Sequence, residues 1–129
     1  MHGREVVKAY VEDGRIAEIG EAEFIGKEVE IKVTKERVDL VFRTKDNQLV
    51  IVEAKSSKTS EEELAENIKN GLNQLKRYKK HIKEYGLDLT KEGLGVEKGE
   101  NINGYMVVYV YFDLKNKEIE VGYELLPEG

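Results

Sequence analysis

The sequence predicts an α/β fold: a mixed β-sheet with one long helix packed on it. Two β-rich runs, 38–42 and 49–54, are followed by a helical pattern over 61–85 and by a third β-rich run over 105–112. A strand–helix–strand order brings two strands together in parallel, while the flanking strands can pair antiparallel. Because 129 residues is the size of one domain and no linker interrupts them, residues 1–129 are predicted to form a single domain.

The amino-terminal segment 5–19 fits two structures. It can form a hairpin that turns on Asp13-Gly14, or a short helix followed by a strand. Its β-branched residues and the Asp-Gly pair favour the hairpin. Residues 23–33 alternate apolar and polar side chains, which predicts a strand.

The runs 38–42 and 49–54 are joined by residues 44–48, which are rich in turn formers. This order predicts an antiparallel hairpin. The second run is apolar until Glu53, as expected of a central strand that is covered on both faces.

Residues 61–85 give the strongest helical pattern. Ser60 and Glu63 fit a capping box, and Gly86 is placed to end the helix. The apolar residues that recur at helical spacing predict a core-facing stripe. They are Leu64, Ile68, Leu72, Leu75, Ile82 and Tyr85.

The carboxyl-terminal part contains the most strand-like segment, 105–112, followed by a turn and a predicted outer strand over 118–126. The strongly apolar strand 105–112, or its outer neighbour, is a candidate interface for a homodimer or for a larger complex.

Composition narrows the classes of function. Charged residues make up 36% of the chain, yet the net charge is −5, which argues against coating nucleic acid by bulk electrostatics but leaves room for one basic face. There is no cysteine, and only His2 and His81 offer imidazole, so a hard metal bound by carboxylates is the main metal option. High charge with two glutamines is typical of heat-loving sources.

No run reaches the roughly 18 apolar residues that a membrane span needs. The first ten residues lack the apolar core and cleavage pattern of a secretory signal. We therefore expect a cytoplasmic protein without a membrane partner.

One group of residues suits metal-assisted chemistry. Glu53 and Lys55 are two apart on a strand, so their side chains share a face, and the hairpin can bring Asp39 beside Glu53. Two adjacent carboxylates repel unless a proton or cation lies between them, and Mg²⁺ accepts two carboxylates with waters and a substrate phosphate. Lys55 could then orient the attacking water or stabilise charge on the phosphate. A Glu-x-Lys triplet also arises by chance in such a charged chain, as at Glu30 and Lys32.

The sequence VDLVF…LVIVEAKSS resembles the core of the PD-(D/E)xK nuclease superfamily. That superfamily includes restriction endonucleases, archaeal Holliday-junction resolvases and RecB/Cas4-type exonucleases. The resemblance implies a restriction-endonuclease-like fold, with Asp39 and Glu53 as ligands of Mg²⁺ or Mn²⁺ and Lys55 as the catalytic lysine.

Gln74 and Tyr78 resemble the Gln-x-x-x-Tyr motif of the RecB/Cas4 branch, which implies that they support the site. Their spacing places them on one helix face. A core tyrosine and a surface glutamine would give the same pattern. The superfamily also supplies an acidic residue from an amino-terminal helix, and the sequence does not decide which one it is. The candidates are Glu5, Glu12, Glu18 and Glu21.

Residues 69–83 carry six basic side chains and no acidic one, which makes this half of the helix a candidate surface for phosphates. Lys69, Lys76, Arg77 and Lys80 are the predicted contacts. The acidic first turn and basic second half also suit the helix dipole, so a purely structural origin is the alternative.

The leading interpretation is a nuclease that uses Mg²⁺ or Mn²⁺ to hydrolyse phosphodiester bonds, in DNA rather than RNA, although RNA is not excluded. The alternative is a catalytically inactive, nuclease-like module that binds nucleic acid or serves in assembly. The sequence leaves open the form of the substrate, the direction of cutting and the pathway.

Overall fold

The computed structural model describes residues 3–127 and confirms the predicted fold class. A five-stranded mixed sheet has the long helix on one face, which is a restriction-endonuclease-like arrangement. The helices and strands are α1 (Gly3–Glu12), β1 (Ala22–Glu30), β2 (Arg37–Thr44), β3 (Leu49–Ser57), α2 (Glu61–Tyr85), β4 (Leu87–Asp88), β5 (Val96–Glu97), β6 (Ile102–Asp113) and β7 (Glu118–Leu125).

The strand order of the large sheet is β1-β2-β3-β6-β7. The hairpin β2–β3 is antiparallel, as predicted, with Leu40 opposite Val52. The helix α2 then carries the chain to β6, which lies parallel to β3 with Met106 beside Val52. The strand β7 returns antiparallel and forms one edge of the sheet, so the predicted outer strand is confirmed.

The strand β3 is central and is covered on both faces, as predicted. On one face its side chains pack beneath α2, together with Leu75, Tyr78 and Ile82. On the other face Val50 and Val52 pack with Val7 and Val11 of α1. The buried charged side chain of this strand is Glu53, which marks the end of its apolar run.

The predicted amino-terminal hairpin is wrong, because residues 3–12 form the helix α1. Val7 and Val11 are four apart, and both are fully buried against the sheet. This burial outweighs the β-propensity of the valines, which depends on their surroundings. Gly14 ends the helix instead of forming a hairpin: its φ is 74°, and its N–H donates to the carbonyl of Val11 at 3.0 Å.

The helix α2 begins and ends where the sequence predicts. The Ser60 hydroxyl oxygen accepts the N–H of Glu63 at 3.0 Å, while the Glu63 carboxylate contacts the hydroxyl of Thr59 and not the backbone of Ser60. Gly86, with φ 98°, donates its N–H to the Ile82 carbonyl at 2.9 Å. The predicted apolar stripe packs on the sheet, with Leu64, Leu75 and Ile82 buried and the rest half-buried; Gly71 and Tyr78 are buried in it as well.

The strand predicted over 23–33 is shorter in the structure. It ends at Glu30, and Ile31 forms an isolated bridge to Leu87 of the small β4–β5 sheet. Val33, with φ 72°, lies in the turn that follows and is exposed. None of the helices in residues 3–127 is long and apolar enough to cross a membrane.

Candidate active site

The structure brings Asp39 and Glu53 together at the place where the β2–β3 ladder opens. The register pairs Leu40 with Val52, and Asp39 and Glu53 are the next residues outward. There each of the two carboxylates, instead of a backbone carbonyl, accepts a backbone N–H of the opposite strand. Glu53 Oε1 accepts the N–H of Asp39 at 3.0 Å, and Asp39 Oδ2 accepts the N–H of Ala54 at 2.9 Å. Each carboxylate is therefore held in place by the opposite strand.

This arrangement perturbs the ionisation of Glu53, whose residue is only 3% exposed. Burial, together with the negative charge of Asp39, raises the pKa of Glu53 to about 8. The Asp39 N–H and the positive charge of Lys55 act against this rise in pKa. A buried carboxyl beside a second carboxylate favours either a proton or a bound cation, so the pair is a candidate cation site.

The helix α1 brings a charge that the sequence reasoning missed. Arg4 Nη2 lies 3.7 Å from Asp39 Oδ1 and 3.9 Å from Glu28 Oε1. Arg4 also lines a cleft of about 1020 Å³ between α1 and the sheet, together with Asp39, Lys27 and Lys55. The sequence feature that could have placed Arg4 here is the spacing of Val7 and Val11, which fits a helix that packs on the sheet.

The four candidates for an amino-terminal acidic residue separate in the structure. Glu5 and Glu12 lie on α1 and line the cleft, and Glu12 is paired with Lys8 at 3.1 Å. Glu18 contacts the hydroxyl of Tyr123, and Glu21 lies 3.5 Å from Lys45. Neither of these two lines the cleft, which leaves Glu5 as the α1 carboxylate there without an ion pair among residues 3–127.

Lys55 is half-buried and points to the same side of β3 as Glu53. Its side chain runs past Gly71 of α2 and its residue also lines the cleft. The predicted set Asp39, Glu53 and Lys55 is thus assembled at one end of the β2–β3 hairpin.

Tyr78 lies close to the carboxylate pair. Burial raises the pKa of Tyr78, and so do the negative charges of Glu53 and, more weakly, Asp39. Gln74 is one helical turn earlier on the same face, and its Oε1 is buried without a hydrogen-bond partner among the residues that the structure describes. A buried unpaired oxygen is rare in native proteins, so Gln74 is suited to contact a ligand or an ordered water.

The basic residues of α2 are not gathered at this site. Lys69, Lys76 and Lys80 are exposed, and their helical spacing places them on the side of α2 that faces away from the sheet. Arg77 Nε is paired with Glu36 Oε2 at 2.5 Å, and His81 Nδ1 lies 2.5 Å from the other oxygen of that carboxylate. Their contact with nucleic acid stays a prediction.

The donor set suits a hard divalent cation. Asp39 Oδ1 and Glu53 Oε2 accept no backbone N–H from residues 3–127, and both are carboxylate oxygens. Within the described residues no three acidic or histidine side chains form a cluster of the kind that encloses a metal. Mg²⁺ commonly binds through one or two carboxylates and completes its shell with waters and substrate phosphates, so the two residues fit such an ion.

The chain matches the model of a known family. The model of the family described as type I restriction enzyme R protein N terminus matches residues 22–94, more than half of the chain. The matched segment contains all five residues of the predicted site, Asp39, Glu53, Lys55, Gln74 and Tyr78, and begins after α1. Comparisons with curated proteins and with solved structures gave no match.

Proposed function

The chain belongs to the type I restriction enzyme R protein N terminus family, and from this membership we propose that it is a metal-dependent nuclease that hydrolyses phosphodiester bonds in DNA. It is a restriction-enzyme-related, nuclease-like domain. The observation that carries the proposal is the reciprocal bracing of Asp39 and Glu53 across the open end of the β2–β3 ladder. A pair of carboxylates fixed in this way is costly to keep charged unless a cation lies between them.

Asp39 and Glu53 would hold Mg²⁺ or Mn²⁺. Such an ion, when bound, supplies Lewis acidity toward the phosphate and makes water a better nucleophile at neutral pH. In the hydrolysis itself, a water oxygen forms a bond to phosphorus, the bond to the leaving oxygen breaks, and the leaving oxygen takes up a proton. The ammonium group of Lys55 would stabilise the charge that develops on the phosphate or orient the water.

The remaining residues would support these steps. The unpaired Oε1 of Gln74 offers an acceptor to an ordered water or to a ligand. Tyr78 is buried on the α2 side of the sheet, near enough to Glu53 for that carboxylate to raise its pKa, and would limit access of bulk water to Glu53. Both residues lie on one face of α2, as the resemblance to the RecB/Cas4 branch implies, while the matched family is described by type I restriction enzymes and does not point to that branch.

The second candidate function is a nuclease-like module that binds nucleic acid or serves in assembly without cutting it. The pairing of Arg4 with Asp39 favours it, because a guanidinium group already offsets one of the two carboxylates. A homodimer or a larger complex would be compatible with either function. Mn²⁺ binding distinguishes the two functions, since an inert module has no reason to bind Mn²⁺ at Asp39 and Glu53.

The test is cleavage of labelled linear duplex, single strand, plasmid circle, four-way junction and RNA in Mg²⁺, Mn²⁺ or EDTA. We expect metal-dependent cutting of DNA that is lost in Asp39→Asn and falls about a hundredfold or more in Lys55→Ala. The second Glu-x-Lys triplet supplies the control, because Glu30 and Lys32 are both exposed and Lys32→Ala should cut at the wild-type rate. A fully active Lys55→Ala would overturn the mechanism, and a folded wild type that cuts nothing would favour the inert module.

A further inference from the structure

The middle of α2 contains a glycine where the packing stripe would ordinarily have a side chain. Gly71 is buried in the interior of a 25-residue helix. Glycine in such a position destabilises a helix by about 1 kcal/mol relative to alanine, so a glycine here needs a reason in the packing. That reason is visible in the space beside its Cα.

A Cβ atom on Gly71 would meet two side chains from the sheet. It would lie 2.9 Å from Val107 Cγ2, and 3.2 Å and 3.3 Å from Cε and Cγ of Lys55. The contact with Val107 is shorter than real Cβ atoms show, and the two contacts with Lys55 are tight enough that its side chain would have to shift by a few tenths of an ångström. The room that alanine would occupy is therefore filled by the aliphatic stem of the lysine and by the core valine.

This slot holds the Lys55 side chain at two points along its length. The stem runs from Cγ to Cε between β3 and α2, which restricts the rotamers of a side chain that otherwise has four free torsions. No salt bridge of Lys55 is found within residues 3–127. Lys55 lies two residues from Glu53 on the same face of β3 and lines the same cleft as Asp39, so the slot restrains a side chain that begins beside the carboxylate pair.

We propose that Gly71 is a positioning residue for Lys55: the missing side chain creates the slot that holds the lysine stem and fixes where its ammonium group stands relative to Asp39 and Glu53. The inference rests on the proposed nuclease function. Of the two side chains beside Gly71, that of Lys55 belongs to the proposed site, so the influence of Gly71 on turnover would pass through Lys55.

The test is Gly71→Ala, compared with Asn70→Ala as a control on the adjacent, exposed position of the same helix. Alanine improves helix propensity at both positions, so a general effect on the helix would appear in both. We expect kcat of Gly71→Ala to fall by about tenfold to a hundredfold, because small misplacements of a catalytic group have such effects. KM and the Kd for Mn²⁺ should change by less than about threefold, since the residues that would bind phosphate and cation are untouched.

Two double variants distinguish an effect of Gly71→Ala through Lys55 from an effect through Val107. Gly71→Ala with Lys55→Ala should be no slower than Lys55→Ala alone, because residues that act as one unit are not additive. Gly71→Ala with Val107→Ala relieves the shorter contact while leaving the stem displaced, so kcat should stay low. Recovery of wild-type kcat in that variant would show that a shift of the helix, and not of the lysine, caused the loss, and would overturn the inference.

A third measurement does not depend on catalysis. Reductive ¹³C-methylation of the lysines gives NMR signals that report the environment and titration of each ammonium group, with Lys55 assigned by its loss in Lys55→Ala. In Gly71→Ala the Lys55 signal should move while the other lysine signals stay in place. If wild type cuts no substrate, the proposed function fails but this measurement still decides the positioning, and an unchanged Lys55 signal overturns it.

Discussion

Replacing Glu53 with glutamine should abolish a loss of stability that the metal-free protein suffers as the pH rises. The pKa of Glu53 in the fold is about 8, because of burial and of the charge of Asp39, against 4.5 for an unperturbed glutamate. Between these values the native state keeps a proton that the unfolded state releases. The free energy of unfolding therefore decreases as the pH rises from about 4.5 to about 8, and the decrease ends above that range.

The size of this decrease follows from the displacement of the pKa. A rise from 4.5 to about 8 corresponds to roughly 5 kcal/mol. Proton sharing with Asp39 and entry of water reduce this figure, so we expect about 2 to 5 kcal/mol between pH 5 and pH 9. Glutamine cannot ionise, yet its side-chain oxygen can still accept the N–H of Asp39, so the bracing of the two strands is preserved in the variant.

The assay is urea unfolding followed by circular dichroism at several pH values from 5 to 9 in EDTA. The difference in unfolding free energy between Glu53→Gln and wild type isolates Glu53, because His81 and the other titrating groups are common to both. Glu30→Gln, at an exposed position, is the matched control and should follow wild type. Parallel curves for wild type and Glu53→Gln, within about 0.5 kcal/mol at every pH, would refute the assignment of a raised pKa.

Two further predictions concern the charges around the site. Arg4→Ala should bind Mn²⁺ several-fold more tightly than wild type in calorimetry, because it removes a positive charge 3.7 Å from Asp39 that repels the cation. Arg4→Lys keeps the positive charge and should not bind more tightly. Weaker binding in Arg4→Ala would contradict this electrostatic role. If the outer face of α2 contacts phosphates, the double variant Lys76→Ala/Lys80→Ala should lower the slope of log Kobs against log salt concentration for DNA binding by about 2. The control Lys117→Ala, at an exposed position on the β6–β7 turn, should leave that slope unchanged. An unaltered slope in the double variant would remove α2 from the DNA interface.

Most of the sheet and the long helix could be predicted because their signals are local. The residues between the runs 38–42 and 49–54 are turn formers, and α2 is bounded by the capping residues Ser60 and Gly86. The hairpin register then places Asp39 beside Glu53 without any knowledge of the remaining fold. A site built across one hairpin is therefore within reach of sequence reasoning.

The features that the sequence did not predict are those that depend on how a helix packs on the sheet. Val7 and Val11 belong to a helix only because the sheet offers a face to bury them, and their intrinsic propensity suggested a strand. The approach of Arg4 to Asp39 depends on the docking of that helix. The contact of Gly71 with Lys55 likewise requires the separation of α2 from β3, which no local pattern encodes.

The bracing of Asp39 and Glu53 makes stability and chemistry inseparable at this site. Each carboxylate satisfies a backbone N–H of the opposite strand where the regular ladder has ended. Truncating either side chain to alanine leaves one of those N–H groups unpaired at a cost of about 1–3 kcal/mol, in addition to removing a ligand. The amides asparagine and glutamine keep the acceptor and remove only the charge. Loss of cutting in Asp39→Asn or Glu53→Gln would therefore report on the charge that a cation requires, whereas the same loss in an alanine variant would also include local opening of the β2–β3 hairpin.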